Sequence, residues 1–98
     1  MEKTKLIVPE EIAQGKYVNY TFIIFTPAEF VIDFAIRFPG MESAIGHSRI
    51  ISTPQHVLAI SNILLKSLAL YEEKYGKIPI IDKGVSMPPS QPPGQDKD

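Results

Sequence analysis

Thr53–Gly76, TPQHVLAISNILLKSLALYEEKYG, decides the reading of this 98-residue chain. Thr53 is an N-cap residue, and Pro54 suits the first helical position because its missing N–H has no partner there in any case. Gly76 takes the left-handed conformation that ends such a run. Between these signals Val57, Ile60, Leu64, Leu68, Tyr71 and Tyr75 recur every three or four residues, which predicts one long helix. Leu58, Ile63, Leu65, Ala69 and Leu70 fall outside that stripe. A helix apolar on more than one side hides more surface than one small sheet covers, so the sequence predicts that subunits associate. Leu58, Ile63, Leu65 and Leu70 are the expected oligomer interface.

Upstream, Tyr17–Thr26 is rich in aromatic and β-branched residues and reads as a strand. Val18, Tyr20, Phe22 and Ile24 point one way, and Tyr17, Asn19, Thr21, Ile23 and Phe25 the other. Thr26-Pro27-Ala28-Glu29 is a tight turn, with Pro27 presetting φ and Thr26 able to bond the backbone. The returning strand, Glu29–Phe38, alternates Phe30, Ile32, Phe34, Ile36 and Phe38 on one face, the expected core stripe. Pro39-Gly40 ends it, Met41–Gly46 reads as a connection, and a third strand runs near His47–Ser52, where a short corner leads into the helix. Leu6–Val8 is read as a short edge strand stopped by Pro9, Glu10–Gly15 as a helical turn, and Lys77–Asp82 as an extended segment or extra strand. The fold class is therefore α+β: an antiparallel sheet of three or four strands with one long C-terminal helix packed on it, in a dimer. Residues 1–82 form the single domain. Residues 83–98, rich in Pro, Ser, Gln and Gly, read as a disordered tail.

Composition narrows the function classes. At 44% hydrophobic residues the chain suffices for one small domain, a size that gains much from association. Ten Lys plus Arg against eleven Asp plus Glu leave a net charge of −1, so no bulk positive field draws it to phosphates. With no cysteine and two isolated histidines, disulfides and thiolate ligands are excluded and no metal-binding spacing is recognisable; no metal or cofactor is expected. Leu6–Val8 is too short for a signal peptide, and Ser61, Asn62, Lys66 and Ser67 interrupt the helix well short of the ~20 apolar residues a membrane span needs. A cytoplasmic protein without membrane attachment is the expectation.

Asp33 interrupts the strand face opposite the phenylalanines, and Arg37 and Arg49 are the cations best able to reach it. A cross-strand ion pair that fixes register is the expected role, since a catalytic one requires a second carboxylate or a nucleophile beside it. Glu29 is expected to return a hydrogen bond to Thr26 or the turn backbone. Gln55 and His56, in the first helical turn after Thr53, are where unpaired N–H groups and the helix dipole attract an anion, and these three residues form the candidate small-ligand site. Capping alone also accounts for them. His47 stands by itself in a strand.

Taken in order, Pro9-Glu10-Glu11, Gly15-x-Tyr17-x-Asn19, Thr26-Pro27-x-Glu29-Phe30-Val31-x-Asp33-Phe34, Phe38-Pro39-Gly40, Ser48-Arg49-Ile50-Ile51 and Thr53-Pro54-Gln55-His56 resemble a family of small bacterial and archaeal proteins, domain of unknown function 3467. The helix end Tyr71–Gly76 is similar to that family's too, and the likeness spans nearly all of Pro9–Ile78. It implies the architecture and supplies no activity. Where the family often carries Lys, this chain has Ala59, which makes its helix start more apolar.

The chain lacks a phosphate loop, a Gly-x-Ser-x-Gly elbow, a metal cluster and a carboxylate pair at useful spacing. The expectation is a non-enzymatic binding or assembly module acting as a homodimer or higher oligomer, its protein partner unspecified. The alternative is a single-stranded nucleic-acid-binding protein that stacks bases on Tyr17, Tyr20, Phe22 and Phe25, flanked by Lys16, Arg37 and Arg49.

Overall fold

The computed structural model describes residues 3–80. Its elements are α1 (Glu10–Ala13), β1 (Tyr20–Phe25), β2 (Phe30–Ile36), β3 (Ile45–Ser52) and α2 (Pro54–Tyr75). The three strands form one antiparallel sheet in the order β1-β2-β3, a meander in which β2 is central and both outer strands are edges. The fold is thus α+β, with the single long helix following the sheet.

The hairpin between β1 and β2 closes as its residue types dictate. The Thr26 hydroxyl accepts from the amides of Ala28 (3.1 Å) and Glu29 (3.2 Å), while the Thr26 amide donates to the Glu29 carbonyl at 2.9 Å. Glu29 therefore closes the turn through its main chain. Phe25 pairs with Phe30 across the mouth of the hairpin, ring centroids 5.4 Å apart.

Register fixes two faces, because directly opposed residues in a ladder share a side. One face carries Tyr20, Phe22 and Ile24 on β1, Ala35, Asp33 and Val31 on β2, and Arg49 and Ile51 on β3. The other carries Thr21, Ile23 and Phe25, then Phe34, Ile32 and Phe30, then Ser48, Ile50 and Ser52. Phe34 opposes Ser48 but Ala35 opposes Gly46, so His47 is the extra residue of a β-bulge. The bulge frees the His47 carbonyl, and Lys16 Nζ donates to it at 3.0 Å, tying the N-terminal segment to β3.

Several expectations shift. β1 starts at Tyr20 instead of Tyr17, because Asn19 ends the ladder: its Nδ2 donates to the Arg37 carbonyl at 3.1 Å and its Oδ1 accepts from the Arg37 amide at 2.9 Å. One side-chain amide supplies the donor and acceptor that the backbone of Val18 would offer had the same register continued. Leu6–Val8 is not a strand; Leu6 and Ile7 are 85% and 83% exposed and pair with neither edge of the sheet. The core stripe stops at Ile36, leaving Phe38 in a turn where the Met41 amide donates to its carbonyl. β3 begins at Ile45, two residues earlier than the apolar pattern suggests. Lys77–Ile80 forms no regular element; residues 81–82 and the tail reading of 83–98 fall outside the described residues.

The largest departure concerns the helix. α2 has the predicted bounds and caps: Thr53 Oγ1 accepts from the His56 amide at 3.1 Å, and Gly76 takes φ +100° while its amide donates to Glu72 O at 2.9 Å. Yet none of its 22 residues is buried, so it is not packed down on its own sheet as expected. Among the described residues the only buried apolar side chain is Ala35.

Candidate functional site

At 100° per residue the apolar residues of α2 fall into two bands. Val57, Ile60, Leu64, Leu68 and Tyr71, widened by Leu58 and Leu65, form one broad face. Ala59, Ile63 and Leu70 form a narrower stripe, separated from the first by Asn62 and Lys66 on one side and by His56 and Ser67 on the other. The four residues expected at an interface are open: Leu58, Ile63, Leu65 and Leu70 are 63–65% exposed. The broad face, which the sequence suggested would lie on the sheet, is not buried either, with Leu64 55%, Leu68 41% and Tyr71 49% exposed. Nine large side chains from Leu58 to Tyr75 are at least one-third exposed. At side-chain areas of order 170 Å² this leaves roughly 800 Å² of apolar surface, about what a standard protein interface takes from each partner.

The sheet carries matching surface. Phe22, Ile24 and Ile51 are open on one face, Phe25 and Ile50 on the other. A groove lined by Ile12, Val18, Phe34 and Ile50, with Glu11, Lys16 and Ser48 at its rim, runs between the N-terminal turn and the phenylalanine face. A shallower depression on the opposite face is lined by Phe22, Asp33, His47 and Arg49.

The polar candidates are brought together only in part. Asp33 lies directly opposite Arg49, and the guanidinium engages both carboxylate oxygens, Nε to Oδ1 at 2.7 Å and Nη2 to Oδ2 at 2.9 Å. This bidentate bond holds the Asp33 carboxyl below the usual carboxylate range and raises Arg49 in turn. Their side chains are 26% and 64% exposed, so the pair works chiefly as a register clip. Arg37 contributes only backbone, to Asn19. At the helix start Thr53 already occupies the His56 amide, and the Gln55 and His56 side chains are exposed, with no buried polar group turned toward a ligand. The aromatic residues do not form one platform: Tyr20 and Phe22 stack at 5.3 Å on one face, Phe25 lies on the other, and Tyr17 precedes the strand. Of their expected flanking cations, Lys16 bonds the bulge and Arg49 is held by Asp33.

Among the described residues no group of three or more His, Asp or Glu is placed to hold a metal ion, and no helix is long and apolar enough to cross a membrane. Sequence reasoning missed Asn19 and Lys16. An amide in a β-rich run was the available signal for the first; the second depends on a bulge that no residue pattern announces.

Neither the curated proteins nor the solved structures give a match to the chain. A family model described as protein of unknown function (DUF3467) matches residues 1–80, more than three-quarters of the sequence, and the chain belongs to that family.

Proposed function

We propose that this protein is a non-enzymatic binding or assembly module that acts as a homo-oligomer, a dimer in its simplest form. The observation that carries the reading is a well-capped helix of 22 residues with none buried, beside a sheet whose only fully covered apolar side chain is Ala35. Fixing a backbone costs about 1–2 kcal/mol per residue, and burial of apolar surface is the main compensation at about 25 cal/mol per Å². An isolated protomer with one fully buried apolar side chain and the rest of its central strand half-buried has little to set against that cost. A second copy supplies the missing surface without any further component, and a symmetric pair covers the same patch on both chains.

The polar groups support binding over chemistry. The best-formed polar site, Asp33 with Arg49, is saturated by its own partners; His47 and Ser48 line the same depression, but Ser48 has the register of the opposite sheet face, and no second carboxylate lines it. Light scattering on the purified chain tests the reading. The expected mass is at least twice the 10.9 kDa of one chain, and a folded monomer at high concentration overturns it.

A further inference from the structure

Resting on that homo-oligomer reading, we infer that α2 of one copy lies across the phenylalanine face of the sheet of a second copy, reciprocally, so that the hydrophobic core forms between chains. The two surfaces are complementary in kind. The broad face of α2 is apolar from Val57 to Tyr71, and the face bearing Phe30, Ile32, Phe34 and Ile50 is apolar along the whole central strand. The opposite sheet face is the poorer seat because Asp33 and Arg49 occupy its middle, and a helix laid there must strip water from an ion pair that is now solvated.

The groove gives the seat a wall. Ile12 and Val18 stand along one side, held there by the bond from Lys16 to the bulge at His47, and Phe34 and Ile50 form the floor. A 22-residue helix is about 33 Å long and an eight-residue strand about 26 Å, so one helix spans one sheet. The chain's own helix leaves this face only partly covered: Phe25 and Ile50 on it are each 44% exposed, and no residue of α2 is buried. Exposed helix area of roughly 800 Å² per chain, used twice, reaches the range of a stable dimer. The narrower stripe of Ala59, Ile63 and Leu70 then points away from that sheet and is left for contact between the two helices.

The test places the photo-cross-linker benzoylphenylalanine at Leu64 in a nitrogen-15-labelled full-length chain, co-refolded with unlabelled chain, and identifies the joined peptides by mass. The inference expects a labelled–unlabelled product joined at the β2–β3 face that includes Phe34 or Ile50. A product within one labelled chain, with another α2, or with the Phe22, Ile24 and Ile51 face overturns it. If the chain with the probe at Leu64 does not fold, the same probe at Leu68, one turn along, takes its place; no interchain product at either position also counts against the inference. Light scattering on the same samples separates the two readings. A dimer cross-linked elsewhere removes this inference and leaves the oligomer standing, whereas a folded monomer removes both.

Discussion

The sheet and the helix of this chain solve the same problem to different degrees. The sheet sets its own pairing: its two ladders are in register, Thr26 closes the hairpin, Asn19 ends the ladder, and Asp33 clips to Arg49. The helix completes its backbone too, capped by Thr53 and Gly76, but buries none of its side chains. The contrast teaches that backbone satisfaction and side-chain burial are separate requirements. The first is met by neighbours in sequence, and the second needs surface from elsewhere.

The contrast breaks most severely at the helix flank. Leu64→Asp or Leu68→Asp is expected to destabilise the folded assembly by about 3 kcal/mol or more, since a charge replaces a large apolar side chain at the interface. Sedimentation should show loss of the oligomer together with loss of helical circular dichroism. Lys66→Asp, between the two apolar bands, serves as the reference and should leave both within experimental error, a change of about 0.5 kcal/mol at most.

On the sheet side the expected effects are smaller. Asn19→Ala removes the donor and acceptor that Arg37 uses, for a loss of about 1–2 kcal/mol, and amide exchange at Arg37 should accelerate ahead of that at β2 residues. Thr53→Ala should cost about 1 kcal/mol and speed exchange of the His56 amide, with α2 otherwise intact.

The smallest effect is a pH dependence. Because the Asp33 carboxyl is held below its ordinary range when folded, its contribution is present above the unfolded value of about 4 and is lost as pH falls through the folded one. Asp33→Asn should therefore remove that small contribution at neutral pH and flatten the acid side of the stability profile, so that the two proteins converge below about pH 4, as urea titrations at several pH values will show.

Much of the fold is legible in the sequence because its signals are local. Thr53, Pro54 and Gly76 mark the helix to the residue, and the alternation from Phe30 to Ile36 marks the central strand. What is not legible depends on partners distant in sequence. Asn19 meets Arg37 only once the register is set, and Lys16 meets His47 only because of the bulge. Leu6 and Ile7 read as strand residues on composition yet pair with neither open edge of the sheet and stay exposed. The surplus of apolar residues on α2 is plain in the sequence. Its destination is not, because periodicity states how much of a helix wants cover and never which surface provides it.

The concentration dependence of thermal unfolding tests most directly the claim that one chain lacks a core of its own. If folding and association are one process, the midpoint followed by helical circular dichroism should climb steadily as chain concentration is raised over two or three decades. A cooperative transition at the same temperature throughout that range, from a species sedimenting at 10.9 kDa, would contradict it.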